Sequence, residues 1–446
     1  MTTAANGEPA PAQRWLARLS FVLLGLAIVV VAVLEGPKSL AMLAVGLAGA
    51  AVSLAAAFFF LSRRGVLRWV SLAVFVLAPV AVIVVYVVKN LLWIALILAA
   101  GWLLASIVAR LALARDRPDW HMPERPAHPP ARRPYLIMNP KSGGGKVEKF
   151  DLKRKAEALG AEVYLLGGAQ RVDVAEVARA AVANGADLLG VAGGDGTQAR
   201  VAAVAAEHGL PFVVISAGTR NHFALDLGLD REDPAACLRA LTDGVELLVD
   251  LGMINGQVFV NNASFGAYAE IVETPAYRDD KVNTTLNLLP DVLQGHHGAR
   301  LLARAHGIEI SKPQALLVSN NPYETGDIAG LGRRARLDRG KLGVIGVRVS
   351  SAWQAIGLLR GRHSAELKVL TTKKIEITAD AARIPVGIDG ESVSTSVPVT
   401  CAISRRALRV WVPRDRLGVP APAPAMNWTR LRHLAGIRRN HAELAA

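Results

Sequence analysis

The chain has 446 residues, of which 52% are hydrophobic and 20% charged, and its formal net charge is +14. This length is enough for two or three domains, and the hydrophobic fraction excludes disorder over most of the chain. Its two cysteines, Cys237 and Cys401, are too few for a disulfide framework, a cysteine-based zinc site or a c-type haem motif. The positive charge favours an anionic partner such as a phospholipid surface, a nucleotide or a nucleic acid.

Four long apolar segments fill most of residues 1–113. They are Trp15–Leu34, Leu40–Leu61, Val66–Val88 and Leu91–Leu113. Each approaches or exceeds the ~20 residues that cross a bilayer core, and only short polar turns separate them. No A-x-A cleavage site follows the first segment, and three further segments do, which favours four transmembrane helices over a signal peptide followed by buried core helices.

Arginine is distributed unevenly around these segments. Arginines precede the first segment, lie between the second and third, and follow the fourth, whereas the other two turns carry only Lys38 and Lys89. The positive-inside rule therefore predicts a multi-pass protein of the cell (inner) membrane, with both termini and everything after the fourth segment in the cytoplasm. Cations that cluster at membrane flanks, without interleaved aromatic residues, argue against nucleic-acid binding.

The remaining chain divides into four parts by composition. Residues 114–133 hold five prolines and mixed charges, which predicts an extended basic linker. Strands alternate with helices over 134–247, which predicts a doubly wound parallel α/β domain. Strands predominate over 248–412, apart from a predicted helix at 282–293, and indicate an antiparallel β-sandwich domain. The tail, 413–446, is basic and is predicted to form a helix that is solvated or packed rather than one on the membrane surface.

Several individual elements follow from local patterns. One predicted helix covers 147–159, and Asn255-Gly256 between two apolar runs predicts a hairpin with a type I′ turn. Two separate strands are predicted at 397–404 and 407–412, on either side of a charged interruption. The expected fold is thus an α-helical transmembrane region followed by an α/β domain and a β domain.

Three glycine-bearing loops follow strands of the predicted parallel sheet. They are Asn139–Gly145, Gly193–Thr197 and Gly218–Asn221. Because the carboxyl ends of strands in an open α/β sheet line one crevice, we expect these loops to lie together. Glycines let backbone N–H groups approach phosphate oxygens, and the following helix N-termini add positive potential. Asp195 in the second loop is suited to organise a Mg²⁺–nucleotide complex, directly or through water.

Taken together, the motifs resemble the diacylglycerol kinase catalytic family, which also contains sphingosine and ceramide kinases and bacterial lipid kinases. The motifs are Asn139-Pro140-x-Ser142-Gly143, Gly193-Gly194-Asp195-Gly196-Thr197, Gly218-Thr219-x-Asn221 and Asp389-Gly390-Glu391. The resemblance covers residues 134–412. Because the Gly-Gly-Asp-Gly-Thr run is shared with NAD kinases, it is the final Asp-Gly-Glu that points to the lipid branch.

The resemblance implies ATP and Mg²⁺ as cofactors and a site between the two domains. It implies nucleotide contacts from Asn139, Pro140, Ser142, Gly143, Gly193, Gly194, Asp195, Gly196, Thr197, Gly218, Thr219 and Asn221. The Asp-Gly-Glu motif would supply the general base that takes the proton of the acceptor hydroxyl, and we favour Glu391 over Asp389 for this role. Asp195 and Asp250 are the candidate metal ligands.

The predicted function is a membrane-bound kinase that transfers the γ-phosphate of ATP to a lipid hydroxyl, with diacylglycerol as the favoured acceptor and phosphatidic acid as the product. A sphingoid base, ceramide or polyprenol could serve as acceptor on the same machinery. The alternative from a different class is a catalytically silent nucleotide-binding membrane sensor. It stays open because His222 stands where the family has aspartate and Arg339 replaces an acid associated with a structural Mg²⁺ site. The oligomeric state does not follow from the sequence.

Overall fold

The computed structural model describes residues 11–63, 65–114, 121–167, 172–266, 299–323, 334, 336–348, 367–419, 426 and 428–437. The chain divides into two compact units. The helical unit comprises residues 1–118, 325–327 and 422–446, and the sheet unit comprises residues 119–324 and 328–421. The predicted helix at 282–293 lies outside the described residues.

Four long helices form most of the helical unit and match the four predicted membrane segments. They are α1 (Pro11–Glu35), α2 (Pro37–Ser62), α3 (Val66–Val88) and α4 (Leu92–Ala114). All four are long and apolar enough to cross a membrane. A helix suits such a segment because its backbone N–H and C=O groups are hydrogen-bonded within the helix and need no water. Many of their large apolar side chains are exposed on the unit's surface, as a lipid environment would favour.

The basic C-terminal tail contributes a short helix, α10 (Trp428–Ala435), to the helical unit. Its Leu431 is fully buried in an apolar cluster that includes Ala17 of α1. At the end of α10, the carbonyl of Ala435 accepts a hydrogen bond from Nε of Arg18 at 3.3 Å. The tail helix is therefore packed against the long helices.

The first half of the sheet unit alternates strands with helices, as predicted. Its strands are β1 (Glu124–Pro126), β2 (Pro134–Met138), β3 (Glu162–Leu165), β4 (Leu188–Ala192) and β5 (Pro211–Ile215). Its α-helices are α5 (Lys146–Lys149), α6 (Leu152–Ala158), α7 (Val174–Ala183), α8 (Asp195–Glu207) and α9 (His222–Asp226). Strands β3, β2, β4 and β5 are parallel and lie side by side in this order, which confirms the predicted parallel sheet.

The single helix predicted over 147–159 is two helices, α5 and α6. Asp151 between them adopts the left-handed conformation with a φ of +52°. This conformation is unfavourable inside a right-handed helix, so α5 ends before it and α6 begins after it.

The second half of the sheet unit is antiparallel. Its strands are β6 (Gly244–Ile254), β7 (Gln257–Phe259), β8 (Asn262–Gly266), β9 (Leu301–Ala305), β10 (Ile308–Ser311), β11 (Ala315–Asn320), β12 (Leu342–Val347), β13 (Leu367–Thr372), β14 (Lys374–Ala379), β15 (Arg383–Ile388), β16 (Glu391–Ser396) and β17 (Val399–Pro413). One sheet has the order β13-β12-β11-β8-β15-β16. Its apolar face shares a core with β9, β14 and neighbouring strands, which confirms the predicted β-sandwich.

Strand β17 joins the two halves of the unit. Its first part pairs with β14, and its second part runs parallel to β5, so that one continuous sheet contains both. The two strands predicted at 397–404 and 407–412 are this one strand, interrupted by a bulge between Ser404 and Leu408. Its partner β6 is also continuous, and the predicted boundary between residues 247 and 248 falls inside it.

The hairpin between β6 and β7 has the predicted geometry. Asn255 and Gly256 have φ values of +45° and +88°, as a type I′ turn requires. Strand β8 then leaves this sheet and enters the second one, where it pairs with β11 and β15. The segment between β7 and β8 therefore passes from one sheet to the other, close to the turn between β15 and β16.

Candidate functional site

The three predicted glycine loops lie together at the carboxyl ends of β2, β4 and β5. A Cβ added to Gly143 in the first loop would lie 2.4 Å from the carbonyl oxygen of Ala217 in the third. A Cβ on Gly218 in the third loop would lie 2.7 Å from the carbonyl oxygen of Gly193 in the second. Real Cβ atoms do not approach this closely, so only glycine allows these backbones to be in contact.

The structure places every predicted nucleotide residue in these loops. The first contains Asn139, Pro140, Ser142 and Gly143, the second contains Gly193, Gly194, Asp195, Gly196 and Thr197, and the third contains Gly218, Thr219 and Asn221. The second loop runs into α8, a helix of 13 residues whose N-cap is Gly194. Glycine has no side chain to cap the first amides of the helix, and these amides together with the helix dipole favour an anion.

Asn221 shapes the third loop with its side chain. Its Oδ1 accepts the N–H of Gly218 at 2.8 Å, and its Nδ2 donates to the carbonyls of Ser216 and Gly218 at 2.9 and 2.6 Å. The side chain is completely buried. All described hydrogen bonds of its amide are therefore made within the loop. Nucleotide binding by Asn221 stays a prediction, and Asn221 would contribute to it by holding the loop in shape.

Asp195 connects the second loop to the third. Its carboxylate is buried and accepts the backbone N–H groups of His222 and Phe223, the first residues of α9, at 3.3 and 3.2 Å. A carboxylate has about four lone-pair sites, so two of them stay available for a cation or a bridging water. His222 contributes only its backbone N–H to this contact, so the hydrogen bond does not depend on the side chain at position 222.

Asp250 has a different environment. Its carboxylate is completely buried and accepts the N–H groups of Gly340 and Arg406 at 2.6 and 2.7 Å and the amide of Asn321 at 3.1 Å. These hydrogen bonds connect β6, which contains Asp250, to the segments at residues 321, 340 and 406. Among the described residues, no group of three or more His, Cys, Asp or Glu side chains could hold a metal ion. Metal binding by Asp195 and Asp250 therefore stays a prediction.

The Asp-Gly-Glu motif forms the turn between β15 and β16. Asp389 and Gly390 have φ values of +47° and +87°, which makes them the central pair of a type I′ hairpin. The carboxylate of Asp389 accepts the backbone N–H groups of Val260, Asn261 and Asn262 at 2.8, 2.8 and 3.1 Å. Burial raises the pKa of Asp389 to about 7, and the nearby Asp195 acts in the same direction, against the three N–H donors.

Glu391 lies over the first turn of α8. A Cβ added to Gly196 would lie 2.8 Å from Oε1 of Glu391, so the motif at residues 389–391 reaches the second glycine loop. Its Oε2 accepts from Nη2 of Arg200 at 2.8 Å, and both side chains of this pair are about half exposed, 53% and 48%. The sequence analysis missed Arg200, although it follows Gly196 by one helical turn and was detectable from that spacing.

A cleft of about 490 Å³ adjoins the two acidic residues. Its walls include the small residues Gly196, Ala199 and Ala203 on one face of α8. The lining also includes Met253 and Val258 of the β6–β7 hairpin, the acidic residues Asp389 and Glu391, and the charged side chains of Arg179, Arg200 and Glu207. The cleft thus combines apolar and charged side chains with acceptor groups for a proton.

Arg334 was also missed, and no local pattern singles it out. It is completely buried and pairs with Asp226 at the end of α9. These two residues are separated by 108 positions in the chain, so their contact exists only once the sheets have formed.

Part of the chain is similar in sequence to known diacylglycerol kinases. Residues 133–254 match the sequence model of the diacylglycerol kinase catalytic domain. The diacylglycerol kinase of Bacillus subtilis (strain 168) is 33% identical over 169 residues, which are 37% of this chain and 54% of that protein. The diacylglycerol kinase of Staphylococcus carnosus (strain TM300) is 25% identical over 302 residues, 64% of this chain and 96% of that protein. A diacylglycerol kinase structure from Bacillus anthracis str. Sterne aligns with a TM-score of 0.46 at 20% identity and covers 64% of this chain and 98% of its own.

The pKa of Asp389 predicts how stability depends on pH. Because its pKa rises from 3.8 in the unfolded chain to about 7 in the folded one, the folded state binds more protons between these values. The free energy of unfolding therefore falls as the pH rises from about 4 to about 7, by at most on the order of 4 kcal/mol from this group. In melting curves of the detergent-solubilised protein, Asp389→Asn should remove this part of the slope. Equal slopes in the two proteins would contradict the assignment.

Proposed function

We propose that this chain is an ATP-dependent lipid kinase that phosphorylates diacylglycerol at a membrane to give phosphatidic acid. The match of residues 133–254 to the diacylglycerol kinase catalytic domain and the similarity to diacylglycerol kinases support this proposal. The observation that carries this proposal is the contact of Glu391 with Gly196. It puts the acidic turn at residues 389–391 over the helix start that follows the second glycine loop. A proton acceptor thus lies beside a site for phosphate.

The proposed position of the nucleotide follows from the three loops. Phosphoryl transfer depends on positioning and on stabilising negative charge, and the backbone amides at the start of α8 supply both. Mg²⁺ in such sites is commonly held by one or two carboxylates together with phosphate oxygens and water. Asp195, with two lone-pair sites available, is the residue that would hold it, and the ion would neutralise charge on the phosphates.

We place the general base on Glu391, with Asp389 as the alternative. Glu391 is the acid whose carboxylate reaches Gly196 at the start of α8, and it is held there by its pair with Arg200. The carboxylate of Asp389 accepts three N–H bonds from residues 260–262, which holds the acidic turn in place. Burial raises the pKa of Asp389 to about 7, near the working pH, which keeps it as the alternative base.

The acceptor would enter through the cleft beside these residues. The hydroxyl would lie beside Asp389 and Glu391, and the apolar part along the small residues of α8. The Ala, Met and Val side chains of the lining suit the acyl chains of a neutral lipid such as diacylglycerol, and Arg179, Arg200 and Glu207 add charge to the cleft. Sphingoid bases, ceramides and polyprenols are the competing acceptors.

The four apolar helices, and the charges that flank them, support a membrane location. A lipid acceptor resides in the bilayer, and four candidate spans would hold the enzyme there. The arginine distribution would put the sheet unit on the cytoplasmic side, where ATP is present.

Substitutions in the acidic turn test the proposed chemistry. Glu391→Gln keeps the shape of the side chain but cannot take a proton, so kcat should fall about 10²–10⁴-fold with the KM for ATP nearly unchanged. Asp389→Asn should lower kcat less. Asp380→Asn, at an exposed carboxylate paired with Arg300, is the control and should match the wild type. A larger loss for Asp389→Asn would move the base to Asp389, and no loss in either variant would refute both assignments.

Reporter fusions test the orientation. A fusion after residue 36, in the turn between α1 and α2, should report the outer side of the membrane. A fusion after residue 120 should report the cytoplasm, because arginines flank the spans on that side. If the second fusion were found outside, the sheet unit would have no access to cytoplasmic ATP, and the proposed function would fail.

A further inference from the structure

A cationic side chain, that of Arg334, lies entirely inside the sheet unit. Arg334 has no exposed surface, and its Nε donates to Oδ2 of Asp226 at 2.6 Å while its backbone N–H donates to Oδ1 at 3.2 Å. Burying two charges is costly, and an apolar pair of similar volume is often as stable. The ion pair by itself therefore does not account for an arginine here, and the other contacts of its guanidinium become informative.

The other two guanidinium nitrogens reach the segment between β7 and β8. Nη1 donates to the carbonyls of Val260 and Asn320 at 2.6 and 2.8 Å, and Nη2 donates to Oδ1 of Asn261 at 2.6 Å. The planar fork of an arginine can bind acceptors on several sides at fixed angles. Arg334 thus connects the end of α9 to residues 260–261.

The same segment holds Asp389. The peptide group between Val260 and Asn261 accepts from Arg334 through its oxygen and donates to Oδ1 of Asp389 through its nitrogen, at 2.8 Å. A peptide group is planar, so holding its oxygen also sets the direction of its N–H. The N–H groups of Val260 and Asn262 complete the set around the carboxylate.

We infer that Arg334 is a positioning residue for phosphoryl transfer: by holding the peptide group between Val260 and Asn261, it orients the carboxylate of Asp389 and so fixes the acidic turn that carries Glu391. The inference rests on the proposed function, in which this turn supplies the base. The partner of Arg334, Asp226, is the last residue of α9, and the first amides of α9 bind Asp195. One guanidinium therefore connects the acidic turn to α9, the helix that follows the third glycine loop.

The experiment replaces the guanidinium but keeps its charge. Lysine in Arg334→Lys offers a single ammonium group, which cannot bind Asp226 and the peptide oxygen at the same angles. We expect kcat for diacylglycerol in mixed micelles to fall about 10- to 100-fold, because misplacement of a reacting group by about 1 Å has effects of this size. The KM for ATP should stay within a few-fold. Asn261→Ala, which leaves the ion pair intact, should lower kcat less.

A matched control lies two residues further along. Arg336 pairs with Asp338, through Nη2 to Oδ2 at 2.6 Å and through Nε to Oδ1 at 2.7 Å. Arg336→Lys should keep the wild-type kcat. To remove effects of misfolding, kcat is divided by the number of sites that bind a fluorescent ADP analogue. Wild-type kcat per site in Arg334→Lys, or an equal loss in Arg336→Lys, would overturn the inference.

A second readout separates this inference from the proposed function. If the wild type phosphorylated no lipid, the proposed function would fail, and the melting curves would still report on Asp389. Loss of the oriented N–H should disfavour the ionised form of Asp389 and raise its pKa. The pH range over which stability changes should therefore move to higher pH in Arg334→Lys. An unchanged pH dependence in this variant would overturn the inference even in an active enzyme.

Discussion

Direct backbone contact between three loops is the constraint on which the site depends. Gly143 and Gly218 allow it, because any side chain there would collide with the carbonyl of Ala217 or Gly193. Since these loops end three neighbouring parallel strands, their amides and the start of α8 converge on one small region. In the proposed function, the parallel sheet would bind the phosphates through backbone amides, with few side chains involved.

The β-sandwich contributes the acidic side chains. Its type I′ turn at Asp389 and Gly390 carries two of them, the half-buried Asp389 and the ion-paired Glu391, and Glu391 reaches the second loop. The different environments of the two carboxylates suit them to different tasks. The long strand β17 belongs to the sheet that contains β5 and also pairs with β14 of the sandwich, so both parts of the site are built on one continuous scaffold.

Local patterns in the sequence were enough to predict the membrane helices, the parallel strands and the three loops, because apolar runs and glycine-rich strand ends are short-range signals. They were not enough for β17, whose alternation is broken by the bulge near Arg406 with its φ of +49°. The buried contacts of Arg334 reach partners up to 108 positions away, and no periodicity reports such a distance. The engagement of Asn221 within its own loop likewise requires the folded backbone.

The central claim is that this site phosphorylates a membrane lipid, and a labelling assay tests it most directly. The purified full-length protein in mixed micelles is given [γ-³²P]ATP with diacylglycerol, sphingosine, ceramide or a polyprenol, and the lipids are extracted. The account predicts label in phosphatidic acid. Nucleotide binding without label in any lipid would contradict it and would favour a silent nucleotide sensor, and label in another lipid alone would contradict diacylglycerol as the acceptor.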